Sequence, residues 1–218
     1  MIPVIAIDGP SASGKGTVAQ IVATKLGFHY LDSGALYRIV AFAIQQEGMD
    51  EADETRINQL LDTLRIEFNL GSIIVNKQDV TESIRSEECG KLASKVAALR
   101  SVRQHLLSLQ QSFCQTPGLV ADGRDMGTVV FPQAILKVYL TASANVRAER
   151  RYNQLISKGI SANIMVLLQD IHERDFRDQT RLESPLKQAA DAHFLDTSAL
   201  TIDQAVNQVL IWYSAVSK

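Results

Sequence analysis

The residues from Asp8 to Thr17 have the composition of a phosphate-binding loop. This stretch, DGPSASGKGT, follows an apolar run and combines three glycines with one lysine and small hydroxyl residues. Glycines allow consecutive backbone N–H groups to curl around phosphate oxygens, and the helix start that follows adds a favourable dipole. Lys15 adds one fixed positive charge that can reach the β- and γ-phosphates of a nucleotide. The stretch therefore predicts binding of a nucleoside triphosphate with magnesium.

The spacing of the loop residues is specific. Gly9, Gly14 and Lys15 satisfy G-x-x-x-x-G-K, and the hydroxyl residue is Thr17, one position later than in the common pattern. The alternative is a glycine-rich turn between a strand and a helix, but the lysine and both flanking segments favour a P-loop. The version GKGT is similar to that of nucleoside-monophosphate kinases. We predict that ATP contacts Gly9, Pro10, Ser11, Ala12, Ser13, Gly14, Lys15, Gly16 and Thr17.

A kinase needs a second anion site, because donor and acceptor must be held in line. In LDSGALYR, residues 31 to 38, Ser33 is a candidate N-cap of the following helix, and Arg38 lies one turn later. The guanidinium of Arg38 could bind an acceptor phosphate through two parallel hydrogen bonds. On its own, Arg38 is equally compatible with a surface position.

The stretch VADGRDMGTVVFP, residues 120 to 132, places three charged side chains directly after a buried strand. Asp122, Arg124 and Asp125 would lie at the carboxyl end of that strand, where parallel sheets bind their ligands. Charged residues are rarely placed at buried strand ends for packing alone. We therefore interpret this cluster as functional.

A third cluster, HERDFRDQTR, covers residues 172 to 181. Arg174, Arg177 and Arg181 share one helical face, and Asp178 lies four residues after Arg174. The alternative is a solvated helix with surface ion pairs, and for Arg177 this is equally compatible with the pattern. Arg150 and Arg151, on an earlier helix, are candidates for a lid that closes over the triphosphate and excludes water.

Short apolar strands that alternate with longer helical patterns must position these clusters, which predicts a parallel sheet. The candidate strands are Ile2–Ile7, His29–Leu31, Leu119–Ala121, Ile135–Leu140 and Phe194–Leu195. Two helices are predicted from apolar residues on one face, namely Val18, Ile21, Val22 and Leu26 after the loop, and Ile202, Val206, Val209 and Tyr213 near the C-terminus.

One stretch supports a different class of protein. RIEFNLGSIIVNKQ, from residue 65 to 78, predicts an antiparallel hairpin around Gly71, and IIVNKQD also contains the N-K-x-D pattern with which GTPases read guanine. A GTP-binding switch would need a D-x-x-G motif between the loop and Asn76, and the sequence has none. We therefore favour a polar hairpin exit, because short motifs match often by chance.

The overall composition of the chain limits the kinds of partner and binding site that we expect. The chain has 218 residues, 46% hydrophobic and 21% charged, with a net charge of −2. This charge gives no reason to expect nucleic-acid or anionic-membrane binding. Cys89 and Cys114 are far apart, the four histidines show no metal-ligand spacing, and no apolar run is long enough for a membrane span. We predict a cytoplasmic monomer with no protein-bound metal site of its own.

Taken together, GPSASGKGT, LDSGALYR, DVTESIR (79–85), ADGRDMGTVVFP and ERDFRDQTR resemble the bacterial cytidylate kinase, or (d)CMP kinase, family. The resemblance runs in order along essentially the whole chain. It implies a three-layer α/β/α P-loop fold and phosphoryl transfer from ATP to CMP or dCMP with Mg²⁺, in pyrimidine metabolism. It also implies one domain, 1–218, with a core of about 1–59, 101–142 and 190–218, a CMP-binding insert of about 60–100, and a lid of about 145–182.

The resemblance also implies roles for individual residues. It places Arg38, Arg124 and Arg181 around the acceptor phosphate, and it counts Lys15, Arg124 and Arg181 as catalytic. It assigns the sugar to Arg174 and Asp178, the cytosine to Ser94, Arg103 and Asp125, the ATP side to Arg151, and the wall of the site to Ser33. A carboxylate such as Asp125 suits the exocyclic amino donor of cytosine. A P-loop kinase of another small metabolite, such as shikimate or gluconate, remains the alternative enzyme.

Overall fold

The computed structural model describes residues 2–69 and 72–217. Its strands are β1 (Val4–Asp8), β2 (His29–Asp32), β3 (Ile66–Asn69), β4 (Ser72–Val75), β5 (Gln78–Asp79), β6 (Leu119–Gly123), β7 (Leu136–Thr141) and β8 (His193–Asp196). Its α-helices are α1 (Lys15–Leu26), α2 (Ser33–Gln46), α3 (Glu54–Thr63), α4 (Glu87–Val96), α5 (Arg100–Ser112), α6 (Ala144–Ser157), α7 (Ile164–Thr180) and α8 (Ile202–Val216).

The chain divides into two compact units, Met1–Asp32 with Gln111–Lys218, and Ser33–Gln110. The predicted insert, 60–100, falls within the second unit, which begins earlier and ends later. The assignment of the whole chain to one domain, which includes the undescribed Met1 and Lys218, stays a prediction, and so does the lid at 145–182.

The first unit contains a five-stranded sheet in the order β2-β6-β1-β7-β8, and every neighbouring pair is parallel. All five strands predicted from apolar runs are present, each within two residues of its expected bounds at either end. The parallel arrangement brings the carboxyl ends of these strands to one edge, where Asp32 is paired in register with Asp122, and Asp8 with Gly123. The predicted α/β class is therefore confirmed.

An apolar cluster joins this sheet to α1 and α8. It includes Ile5, Ile7, Val18, Val22, Val206 and Val209, each at most 2% exposed. The predicted apolar face of α8 is wrong at its first residue, because Ile202 is 53% exposed. Ile202 is the first residue of the helix, where Thr201 and Gln204 form a capping box at the surface.

The second unit carries the antiparallel sheet β3-β4-β5. The predicted hairpin is present as β3 and β4, while the turn around Gly71 lies outside the described residues. β4 and β5 are joined by Asn76 and Lys77, which have φ values of 50° and 71°. Positive φ at both central residues is what a tight two-residue hairpin turn requires, and Asn76 Oδ1 also accepts from Arg65 N at 3.0 Å. The N-K-x-D stretch is therefore a turn within an antiparallel sheet, as we favoured.

Among residues 2–69 and 72–217, no helix combines the length and the apolar character that crossing a bilayer would demand.

The apolar cluster generates a stability prediction with a matched control. Ile5→Ala, at a position with no solvent exposure, should lower the free energy of unfolding by about 2 to 5 kcal/mol, because it leaves a cavity in the sheet. Ile202→Ala removes the same atoms at an exposed position and should change it by less than about 0.5 kcal/mol. Denaturant unfolding of the two variants measures both values, and equal losses would contradict the assignment of the core.

Candidate active site

The phosphate loop connects the carboxyl end of β1 to the start of α1 and passes close to β7. A Cβ atom at Gly9 would lie 1.9 Å from the carbonyl oxygen of Leu140, so only glycine fits there. Ala12 and Gly14 have φ values of 57° and 91°, in the left-handed region. The loop thus depends on close backbone approach at Gly9 and on tight reversals at Ala12 and Gly14.

Side chains outside the loop hold its carbonyl groups. Arg147 Nη1 of α6 donates to Ser11 O at 3.2 Å, and Arg150 Nη1 donates to Ser13 O at 3.0 Å. Thr197 Oγ1, just after β8, also donates to Ser13 O, at 3.1 Å. The C=O and N–H of a trans peptide point to opposite sides. These contacts therefore turn the N–H groups of Ala12 and Gly14 away from α6, which prepares the loop for an anion.

Lys15, the first residue of α1, is buried and reaches back across the loop. Its ammonium donates to Pro10 O at 3.3 Å. Burial lowers the pKa of Lys15 to about 7, and the nearby Arg124 and Arg174 add to the effect, while Asp122 and Asp32 oppose it. An anion beside this ammonium would favour its charged form and raise its pKa.

Asp122 and Asp32 form a pair of carboxylates on neighbouring strands. Tyr30 Oη donates to Asp122 Oδ2 at 2.6 Å, and a Cβ atom at Gly16 would lie 3.4 Å from the same oxygen. Burial and then the like charge of Asp32 raise the pKa of Asp122 to about 6. Two carboxylates at the start of α1 are therefore placed where a cation would relieve their repulsion.

Arg124 and Asp178 form a buried ion pair between the end of β6 and α7. Arg124 Nε donates to Asp178 Oδ2 at 2.7 Å, and the two side chains are 15% and 4% exposed. Burial alone would raise the pKa of Asp178, but the charges of Arg124 and Arg174 outweigh it and hold the pKa below its usual value. Arg181 follows α7 and donates from Nε and Nη2 to Ser184 O, at 2.9 and 2.7 Å. The structure thus brings the predicted Arg124, Asp178, Arg174 and Arg181 to one region.

Asp8 is a buried carboxylate that the motif search did not identify. It accepts hydrogen bonds from the backbone N–H groups of Met126 and Gly127, both at 2.8 Å. Burial raises the pKa of Asp8 to about 7, and the charge of the nearby Asp125 adds to the effect. Asp8 therefore fixes the backbone just after Asp125, which is itself only 2% exposed and precedes a π-helical turn, Met126–Val130.

The remaining predicted acceptor residues lie in the second unit. Ser33 is the first residue of α2, one position inside the predicted N-cap. Arg38 Nη1 donates to Ile84 O at 2.9 Å and to Ser86 O at 3.1 Å. Arg103 Nη1 donates to Ala97 O at 2.9 Å and its guanidinium lies 5.5 Å from the centre of the Tyr37 ring, while Ser94 is buried. Within this unit, both guanidinium groups are anchored on backbone carbonyls.

Arg151, the predicted ATP-side residue, donates to Gln154 Oε1 at 2.7 Å within α6. Arg150 contacts the loop, and it also donates from Nη2 to Thr197 O at 2.6 Å. Two residues that hold the loop, Arg147 and Thr197, were not among the predicted site residues. Arg147 lies in a helix rich in arginine, and only the contact with Ser11 O distinguishes it from its neighbours. Thr197 is different. Its position just after β8, at the carboxyl edge of the sheet, is a signal that could have found it.

Comparison with known proteins identifies the family. A family model described as cytidylate kinase matches residues 5–214. The chain is 57% identical over 216 residues to the cytidylate kinase of Burkholderia vietnamiensis (strain G4 / LMG 22486), covering 99% of this chain and 95% of that protein. It is 57% identical over 214 residues to the cytidylate kinase of Polynucleobacter asymbioticus (strain DSM 18221 / CIP 109841 / QLW-P1DMWA-1), with 98% and 97% coverage.

Solved structures support the fold. An uncharacterized protein from Eubacterium ventriosum ATCC 27560 matches with a TM-score of 0.55 at 10% identity, covering 98% of this chain and 99% of that one. A gluconokinase from Sinorhizobium meliloti 1021 matches with a TM-score of 0.51 at 16% identity, with 98% and 92% coverage. At these identities the likeness concerns the fold alone. The near-complete family match, together with relatives more than half identical along almost the whole length, shows that the chain belongs to the cytidylate kinase family.

Proposed function

We infer that the chain transfers the γ-phosphoryl group of ATP to CMP or dCMP and so forms ADP with CDP or dCDP. The observation that carries this inference is the 57% identity to a cytidylate kinase over 99% of the chain. The geometry of the first unit supports it, because a lysine-bearing phosphate loop and a group of arginines occur at one edge of one sheet. The reaction needs both, one for each anionic nucleotide.

On the donor side, we propose that the loop from Gly9 to Thr17 binds the ATP phosphates. The carbonyls of Ser11 and Ser13 are held by Arg147 and Arg150, which turns the following N–H groups to the opposite side. Fixed donors of this kind stabilise charge without reorganising when the reaction occurs. The ammonium of Lys15 would lie against the transferred group, and Arg151 would meet ATP from α6.

The residues at the start of α1 fit a magnesium ion bound together with ATP. Burial and the like charge of Asp32 raise the pKa of Asp122. Gly16 of α1 lies next to Asp122 Oδ2, and Thr17, the next residue of α1, is exposed. Carboxylates and phosphates are the ligands that Mg²⁺ prefers, usually with several waters retained. These three residues would hold the ion or its waters, and the ion would neutralise charge on the phosphates.

On the acceptor side, we propose that Arg124, Arg181 and Arg38 bind the phosphate of CMP. Arg174 and Asp178 would bind the sugar, and the carboxylate of Asp178 is kept ionised by its arginine neighbours. The base would be read by Ser94, Arg103 and Asp125, with Ser33 as part of the wall. The buried carboxylate of Asp125 would accept from the exocyclic amino group of cytosine, whereas uracil presents a carbonyl there.

The chemistry requires no general base. The attacking oxygen of the acceptor phosphate is already ionised at neutral pH, so no proton has to be removed. The chain would act by holding the two nucleotides in line and by stabilising the charge that spreads over the transferred phosphoryl group. A coupled ADP-release assay with the four common nucleoside monophosphates, shikimate and gluconate tests the function. Preference for a hydroxy acid over CMP would overturn it.

Removal of the positively charged side chain of Lys15 or of Arg181 should reduce turnover strongly. Lys15→Ala and Arg181→Ala should each lower kcat by at least ~10²-fold, because each removes charge stabilisation from the transition state. Steady-state kinetics with ATP and CMP measures the effect. Lys25→Ala, which removes an exposed cation in the last turn of α1, is the control and should leave kcat unchanged. Turnover near that of the wild type in either catalytic variant would contradict the assignment.

Base selectivity should depend on the carboxylate of Asp125. Asp125→Asn replaces one acceptor oxygen by an NH₂ group, which can donate to the uracil carbonyl but not accept from cytosine. We expect the ratio of kcat/KM for CMP to that for UMP to fall by about 10-fold or more, because buried polar groups lose their partners. An unchanged ratio would reject the proposed role of this residue.

The lowered pKa of Lys15 predicts proton uptake when ATP binds. In the free protein the pKa is about 7, so at pH 8 Lys15 is mostly neutral. The phosphates of ATP favour the charged form and raise this pKa, so binding at pH 8 should take up a proton. Calorimetry in buffers of different ionisation enthalpy measures this uptake. Lys15→Met should abolish it, and an equal uptake in this variant would contradict the assignment of the proton to Lys15.

A further inference from the structure

The guanidinium of Arg147 joins three parts of the first unit. Nε donates to Ala142 O at 2.8 Å, and Nη1 donates to Ser11 O of the phosphate loop at 3.2 Å. Both terminal nitrogens also contact the carboxylate of Asp175 on α7, with Nη1 to Oδ1 at 3.0 Å. The two side chains are only 6% and 17% exposed. A buried bidentate pair of this kind fixes both the distance between the Arg147 guanidinium and the Asp175 carboxylate and their relative orientation.

Asp175 continues this connection along α7. Asp178 lies three residues later, close to the same face of the helix, and pairs with Arg124 at 2.7 Å. Arg124 directly follows Gly123, whose carbonyl accepts from Gly9 N at 3.3 Å. These contacts form a closed chain of links, which we call the circuit. It leaves the loop at Ser11, reaches α7 through Arg147 and Asp175, and returns to the loop at Gly9 through Asp178 and Arg124.

We propose that Arg147 and Asp175 are positioning residues for phosphoryl transfer. They set the place of the phosphate loop relative to α7, and with it the place of Arg174, Asp178 and Arg124. The proposal rests on the proposed function, since it assigns the loop to the donor nucleotide and α7 to the acceptor. Neither residue has to touch a nucleotide for this role.

The physical reason is the narrow tolerance of in-line transfer. A displacement of about 1 Å between reacting groups can reduce the rate about 100-fold, while each nucleotide can still bind to its own contacts. Without the Arg147–Asp175 pair, the circuit loses its direct polar link between Ser11 and α7. The loop stays held through Gly9 and Gly123 and through Arg150, which donates to Ser13 O. The loop and α7 could then each stay folded and yet lose their fixed separation. The expected signature is a fall in kcat with little change in binding.

The experiment compares four variants with the wild type. Asp175→Asn removes the charge, Asp175→Glu keeps it, and Arg147→Lys keeps the charge of the cation but loses the bidentate fork. Asp191→Asn is the matched control, because it removes another carboxylate from the same unit, where it pairs with Lys137 at 2.8 Å. For each protein we would measure kcat and KM for ATP and CMP, the Kd of each nucleotide alone by calorimetry, and Tm.

We expect Asp175→Asn and Arg147→Lys to lower kcat by about 10- to 100-fold while each Kd stays within about threefold of the wild type. Asp175→Glu should recover part of the loss, and Asp191→Asn should behave as the wild type. Should Asp175→Asn fail to fold, Arg147→Lys alone decides. A kcat within about threefold of the wild type would overturn the proposal, and so would a parallel fall of kcat, affinity and Tm. A wild type inactive with CMP would instead refute the proposed function.

Discussion

The orientation of the peptide groups in the phosphate loop is the constraint on which the rest of the site depends. A loop that turns N–H groups toward an anion must turn carbonyls the other way, and buried carbonyls need donors. Arg147, Arg150 and Thr197 supply these donors from α6 and from the end of β8. Elements far along the chain therefore determine the shape of a loop near its start.

Charge balance at the carboxyl edge of the sheet follows from the same arrangement. Lys15 is buried among two arginines that lower its pKa and two carboxylates that raise it. Arg124 is different, because its ion pair with Asp178 offsets the effect of burial and raises its pKa. The charge of Arg124 is thus balanced by a carboxylate of the chain, whereas the charge of Lys15 is poorly balanced. A negatively charged group placed beside Lys15 would favour its charged form and raise its pKa.

The sequence was informative where the signal is local. Apolar runs located all five parallel strands, and glycine spacing located the loop, because backbone geometry there restricts the residue type. Contacts between distant residues were not predictable in this way. Nothing in the motif around Asp175 indicates a partner at Arg147, since that pairing depends on how two helices are rotated against each other. Ile202 was misassigned for a related reason, because helical periodicity does not reveal where the covering surface ends.

The chain leaves the first unit once, after β2, and returns before β6, although these two strands are immediate neighbours in the parallel sheet. The entropic cost of closing such a connection rises only with the logarithm of its length. The pairing of His29 with Leu119 therefore places little restriction on how long the intervening excursion is. The segment between β2 and β6 can therefore differ in length while the parallel sheet keeps its register.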